Sequence, residues 1–384
     1  MKKCAARGEP GYPRFFKTFH PLLYRDDPAA IHPPHHLTTP ASAQLSALFR
    51  EPEPLLVLAP MQDVTDLPFL RLIHGYGGAD LYFTEYFRVH EDSGLDPWIL
   101  SSITQNPTGR PVIAQLIGNH IPSLVRIARE LQKHPIAGID LNLGCPVPVV
   151  YRKNAGGGLL RDVARIDSIL GALREAVHVH FSVKTRIGFD DPSVFEDLLA
   201  VYARHSLDLL TVHARTVAEK YRNIVHYDYV ARAVEVMQCP VLVNGNVSSA
   251  ESAQAALDQT GAKGLMIGRG VIRNPWLFQQ IRQHRRGEPR FVPRGKDVLA
   301  YVQGLYEMRS REGVPESSYV NHMKKYMNFL ALGVDPSGRF LSEIRRATTQ
   351  AAFLDLCREF LDHSNPMKLE PFDIPFSPSE KTCD

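Results

Sequence analysis

From Leu55 onward the chain repeats one rhythm. Short apolar runs recur as LLVLA (55–59), DLYFT (80–84), PVIAQL (111–116), GIDLNL (138–143), HFSVK (180–184), DLLTVH (208–213), PVLVN (240–244) and GLMIG (264–268). They are rich in Leu, Val and Ile and alternate little, the pattern of strands covered on both faces, as parallel strands are. Between them lie stretches such as IPSLVRIARELQKH and VARIDSILGALREAV, whose apolar residues return at helical spacing. Eight strands alternating with helices predict an α/β protein of the (β/α)8 TIM-barrel type. A doubly wound open sheet would carry G-x-G-x-x-G after its first strand; LAPMQDVTD stands there instead.

The rhythm stops on either side. Residues 1–50 are rich in Pro and His, without steady periodicity, and are expected to be a poorly structured extension. Its histidines, His20, His32, His35 and His36, have no acidic or thiol partner at ligand spacing, so no metal is expected. Residues 51–290 form the predicted barrel. From 291 to 365 no strand pattern remains; DVLAYVQGLYEMRS, SYVNHMKKYMNFLAL and SEIRRATTQAAFLDLCREFLD predict a small C-terminal helical domain, and 366–384 a Pro-containing tail.

Composition narrows the picture slightly. The chain has 384 residues, 44% hydrophobic and 22% charged, with net charge +3, so any nucleic-acid-binding face must be local. Its five cysteines (Cys4, Cys145, Cys239, Cys357 and Cys383) are odd in number, widely spaced and free of any C-x-x-C, which argues against a disulfide framework or zinc site and for a reducing cytoplasm. The start has two lysines and no apolar core of a signal peptide, and no apolar run approaches the ~18 residues of a membrane span.

In a barrel of this kind, chemistry belongs to the C-terminal ends of the strands. Those ends carry Ala59-Pro60-Met61, Thr84-Glu85, Gln115, Asn142 with Cys145, Lys184 with Arg186, His213 with Arg215, Asn244-Gly245-Asn246, and Gly268-Arg269-Gly270. Polar groups at every end predict a pocket lined all round. VNGNV and MIGRG place glycines after strands seven and eight, the usual phosphate corner of the fold, where a missing Cβ lets the backbone approach an anion. Arg269 adds a bidentate donor. With Lys184 and His213 beside it, a phosphate there suggests flavin mononucleotide, the cations stabilising its anionic reduced form. Gln115 is placed to bond the ring's polar edge, and Pro60 and Met61 to face the ring.

Cys145 then hangs over the pocket from the loop after strand four. A free thiol is mostly protonated at neutral pH, which suits a proton donor opposite a hydride source. No neighbouring histidine in its motif would activate it as a nucleophile. Cys239 and Cys357, in apolar contexts, are expected core residues.

These pieces together resemble the tRNA-dihydrouridine synthases. LAPMQDVTD, TEYFR, AQLIG, DLNLGCPVPVVYRKNAGGGLLRD, VKTRIGFDD, VHARTVAEKYR, VNGNVSSAESA and MIGRGVIRNPWLF occur in family order over about residues 55–280, and HMKKYMNFL resembles the family's RNA-docking domain, most like the bacterial class C branch. The resemblance implies an FMN enzyme that uses NADPH to reduce the C5–C6 bond of uridine in tRNA, with hydride to C6 and Cys145 protonating C5. It implies flavin contacts at Pro60, Met61, Gln62, Gln115, Lys184, His213, Asn244, Gly245, Asn246, Gly268 and Arg269. It implies uridine contacts at Asn142 and Arg186, and basic groups toward RNA at Arg88, Lys153 and Lys324. Ala214 and Asn246 depart from the family's usual glycine and acid. Gly156, Gly157 and Gly158 match the family's loop after the cysteine; no G-K-[ST] follows, and mobility over the pocket is their predicted role.

An RNA substrate agrees with the layout, because a base must leave its stack to reach a barrel mouth and a second domain gripping the backbone helps offset that cost. Lys324, Lys325, Arg345 and Arg346 lie on predicted helices there. Two other readings compete. A flavin barrel acting on a free pyrimidine, as in dihydroorotate-dehydrogenase-like enzymes, shares the fold but does not account for the helical domain. A non-catalytic tRNA-binding protein would carry no flavin.

Overall fold

A computed structural model describes residues 39–221, 224–309 and 314–372. Eight parallel strands close into a barrel in chain order: β1 (Leu55–Leu58), β2 (Leu81–Arg88), β3 (Val112–Ile117), β4 (Gly138–Leu143), β5 (His180–Arg186), β6 (Leu209–His213), β7 (Val241–Asn244) and β8 (Gly264–Ile267). β8 pairs back onto β1, Leu58 opposite Ile267. The strands are covered on both faces, which is why their sequences are apolar rather than alternating. Thr84-Glu85 is not the end of β2. The strand runs on to Arg88 through a register shift between Phe83 and Tyr86, a bulge that local composition does not reveal.

Two apolar layers hold the barrel. The inner one joins Leu55, Val57, Leu81, Phe83, Ile113, Leu209, Leu242 and Met266. The outer one packs the strands against the surrounding helices. Among those helices, Leu67–Gly75 is capped by Asp66, whose carboxylate accepts from the Phe69 N–H at 3.2 Å, and Ala250–Thr260 by a reciprocal Ser249–Ser252 capping box.

The extension differs from expectation over its last residues. Pro40–Arg50 is a helix, capped by Thr39 with Pro40 in its first turn. Leu45 is fully buried in the inner layer, with Ala41, Leu48 and Phe49 against it. Burying one leucine contributes about 1.5–3 kcal/mol. Ser42 and Ser46 both bond the ring of His180, the first residue of β5, at 3.0 Å, so the helix closes the N-terminal end of the barrel. The apolar spacing 41, 45, 48, 49 is helical, but about three turns beside a Pro-rich run are too short to stand out. His20, His32, His35, His36, Cys4 and Cys383 lie outside the described residues.

The C-terminal region is helical: Gly295–Arg309, Glu316–Leu330, Arg339–Ile344 and Gln350–Leu361. It packs on the barrel's own helices. Phe69 and Tyr326 stack at 5.7 Å, Tyr301 donates to the Ile272 carbonyl at 3.0 Å, and Arg273 donates to the Phe329 carbonyl at 3.2 Å. The described residues all fall in one compact unit. Cys357 is buried in the core and Cys239 packs against it. Residues 366–372 continue the packing, with Met367 donating to the Pro293 carbonyl and Leu369 buried.

Candidate functional site at the C-terminal mouth of the barrel

Register sets the site. Across adjacent strands Gln115 lies opposite Asp140, Asn142 opposite Lys184, Arg186 opposite His213, and His213 opposite Asn244. Pairing in parallel around a closed barrel brings these positions together, so polar residues far apart in sequence ring a single mouth.

Lys184 donates to Asn244 Oδ1 at 3.2 Å, and Asn244 donates onward to the Met266 carbonyl at 2.7 Å. Arg215, fully buried, donates to His213 Nε2 at 3.1 Å and to Asn246 Oδ1 at 2.6 Å. Arg269 lies over the Tyr221 ring at 4.4 Å. Gly268 sits under Met61, where a Cβ would be 3.1 Å from the methionine sulfur. Pro60 and Met61 are half-buried beside it, and Gly245 holds φ +135, with Asn246 at φ +50 after it.

Cations outnumber acids at the mouth, with Asp140 acting on Lys184 and Glu219 on Arg215. Burial, then the neighbouring Arg186, pushes Lys184 down to about 8. Burial lowers Arg186 and Arg215 to about 10, and lowers Arg269. Burial, then Arg186, Lys184, Arg215 and Arg269, holds His213 well below its ordinary value, so it is neutral at pH 7. Lys184 bonds an amide, Arg186 bonds carbonyls and Arg269 covers a phenol ring, none of which carries negative charge. The arrangement favours an anionic ligand.

Cys145 closes another side. It is 9% exposed and packs with Tyr86 and Ile117. Burial raises its thiol, opposed by hydrogen bonds from the Val147 backbone and the Tyr86 hydroxyl and by the charges of Arg186 and Lys184. Arg88, exposed at the end of β2, lies over the ring of the same Tyr86 at 5.7 Å.

Several expectations change. Gly156–Gly158, expected as a mobile loop, are buried and open a 3-10 helix (Gly156–Arg161). A Cβ at Gly157 would lie 2.6 Å from Val217 and 2.9 Å from the Cys145 carbonyl, and one at Gly158 2.4 Å from the Tyr151 carbonyl. The glycines are needed for close packing under the cysteine loop. Arg186 is 1% exposed and donates to the carbonyls of Gly144, Thr216 and Lys220 at 2.9, 2.7 and 2.9 Å, tying the loops after β4 and β6 together. A uridine contact was the expectation for it; loop anchoring is what its hydrogen bonds do. Lys153 is exposed, its carbonyl accepting from Asn119 Nδ2 at 2.9 Å, and Lys324, half-buried, bonds Asn321 at 3.2 Å. Lys325 pairs with Asp63 at 2.9 Å, so it braces the loop after β1.

Other members carry little sequence signal. Glu85 is 4% exposed, accepts from Gln62 Nε2 at 3.3 Å, and is pushed up to about 8, mainly by burial and then by Asp66 and Asp63. Asp66 forms a buried ion pair with Arg309 of the helical region at 2.7 Å, and Tyr326 bonds both Arg309 and the Val64 carbonyl. These three residues fix the loop that carries Met61 and Gln62. Asp140, fully buried below Gln115, had one available signal: a lone acid in the apolar run GIDLNL, on the same face of β4 as Asn142. Among the described residues no cluster of three or more His, Cys, Asp or Glu is arranged to hold a metal, and no helix is long and apolar enough to cross a membrane.

Known proteins are similar to this chain. The tRNA-dihydrouridine(16) synthase of Neisseria meningitidis is 27% identical over 76% of this chain and 90% of its own length. The tRNA-dihydrouridine synthase B of Pseudomonas putida is 34% identical over 63% and 72%. Among solved structures, histamine dehydrogenase from Rhizobium sp. 4-9 is similar in fold, with TM-score 0.50 at 12% identity, over 84% of this chain and 65% of that one. The family described as dihydrouridine synthase matches residues 57–365, nearly the whole described barrel and its helical companion, and the chain belongs to that family.

Proposed function

We propose that the protein reduces the C5–C6 double bond of a uridine in tRNA, with FMN bound in the barrel mouth, NADPH as reductant and Cys145 as proton donor. The observation that carries this reading is the gathering of four cations, Lys184, Arg186, Arg215 and Arg269, at the mouth where a buried, protonated thiol also stands.

The residues present fit FMN. Arg269 and the backbone after β7 and β8 suit its phosphate, and Gly268 leaves room for a close approach beside Met61. Lys184, Arg215 and the neutral His213 offer donors where an anionic reduced ring would carry its charge. Gln62, Asn244, Gly245 and Asn246 supply the remaining polar contacts in this reading; Gln115, expected at the ring's edge, is fully buried and spends its amide on Asp140 and Asn142 instead. Bound and reduced, the flavin supplies the hydride for C6.

Cys145 supplies the proton for C5. Burial keeps the thiol protonated at neutral pH, while the Val147 N–H, the Tyr86 hydroxyl, Arg186 and Lys184 stabilise the thiolate left after transfer. Asn142 would bond the uracil edge, and Arg186 would hold the loop from which Cys145 acts. Arg88, Lys153 and Lys324 would meet RNA phosphates, which makes binding salt-dependent.

Single-turnover spectroscopy tests the assignment. Cys145→Ala should retain yellow colour and bleach with NADPH, yet fail to reoxidise when tRNA is added. Normal tRNA-driven reoxidation in that variant would remove Cys145 from its role; a colourless wild-type protein after FMN supply would remove the whole reading.

A further inference from the structure

We infer that Asp140 is the positioning residue for Cys145, acting through a one-way chain of buried hydrogen bonds across three strands. The inference rests on the proposed role of Cys145. Ser182 Oγ donates to Asp140 Oδ1 at 2.6 Å, and Gln115 Nε2 donates to Asp140 Oδ2 at 2.7 Å. Asn142 Nδ2 donates to Gln115 Oε1 at 2.8 Å. The backbone N–H groups of Gly144 and Cys145 both donate to Asn142 Oδ1, at 3.0 Å.

The two ends of the chain set its direction. Backbone N–H groups only donate, so Asn142 must turn its oxygen to residues 144 and 145 and its NH2 to Gln115. A carboxylate only accepts, so Gln115 must turn its NH2 to Asp140 and its oxygen to Asn142. Each amide is locked against a flip from both sides. Gln115 and Asp140 are fully buried, Ser182 is 1% exposed and Asn142 8%, so a reversed amide would find no water to satisfy it. Register agrees: Gln115, Asp140 and Ser182 are side-by-side neighbours on β3, β4 and β5. The chain terminates on the peptide that carries the thiol. The far side of that peptide is held independently, since the Cys145 carbonyl accepts from the Gly157 N–H at 3.1 Å. Asp140 touches no reacting atom; it sets where Cys145 stands.

The test uses full-length protein carrying Asp140→Leu or Asp140→Asn. Leucine cannot accept a hydrogen bond. Asparagine keeps an oxygen for Gln115 and turns its NH2 to the Ser182 hydroxyl, which can accept, so the chain survives. Iodoacetamide labelling of each cysteine is followed by peptide mass spectrometry, alongside tRNA-driven flavin reoxidation. Asp140→Leu should raise the Cys145 labelling rate and slow reoxidation, each about tenfold, the size of one lost hydrogen bond. Cys239 and Cys357 should keep their wild-type rates, and Asp140→Asn should stay near wild type. The inference is overturned if Cys145 labelling does not change, if all three cysteines rise together, or if the asparagine variant behaves like the leucine one. Should Asp140→Leu not fold, Gln115→Met cuts the next link and must give the same selective rise; no rise there overturns the inference as well. Labelling does not depend on turnover: a selective rise in a protein that tRNA never reoxidises would sink the proposed function and leave this chain standing.

Discussion

Replacing Lys184 by Met should stabilise the flavin-free protein at neutral pH. The amino group has an amide as its hydrogen-bond partner; burial followed by Arg186, only partly offset by Asp140, pushes it to about 8 from an ordinary 10.5. That gap corresponds to about 3 kcal/mol at most, the cost of keeping the amine charged in the folded protein below pH 8. Between about 8 and 10.5 the folded protein has released this proton while the unfolded chain still holds it. The unfolded state binds more protons there, so stability rises with pH across that window and the cost is gone above it. Urea unfolding of the flavin-free wild type and Lys184→Met at pH 7, 9 and 10.5 measures this. The variant should be more stable at pH 7, by up to about 3 kcal/mol, with the difference closing by pH 10.5. FMN affinity should move the other way, falling in the variant because a charge that opposes folding is the one that favours an anionic ligand. Parallel stability curves from pH 7 to 10.5, or a variant less stable at pH 7, would refute the reasoning.

Glu85, raised to about 8, holds a proton between pH 4.5 and 8 that the unfolded chain has released, so its contribution is fully present below 4.5 and lost as pH rises through 8. Glu85→Gln should therefore gain on wild type progressively over pH 4.5–8 and stay level above, as read by denaturant midpoints; a pH-independent difference would contradict the burial argument. Arg309→Met leaves Asp66 buried beside the loop of Met61 without its guanidinium, which should cost about 3–5 kcal/mol. Adding Asp66→Asn should recover much of that loss in thermal melts, and no recovery in the double variant would mean the pair is not what matters at that interface.

The amino-acid sequence by itself determined the barrel. Eight apolar runs separated by helical periods admit few other closures, because buried parallel strands need helices on their outer face. It also determined which residues meet: Gln115, Asn142, Lys184, His213 and Asn244 lie in the C-terminal halves of their strands, and a closed parallel barrel carries those halves toward one mouth. Tertiary structure decided what those residues do once there. Arg186 in VKTRIG is expected at the uridine, yet its hydrogen bonds go to carbonyls contributed by two other loops. Three glycines in a row suggest freedom, and here they relieve contacts with Val217, Tyr151 and Cys145 that no local pattern encodes. The helix at 40–50 became visible only with the open barrel end that Leu45 fills. Asp140 and the Asp66–Arg309 pair belong with these, since a buried charge is defined by partners far away in sequence, and periodicity records spacing along the chain but not who stands opposite.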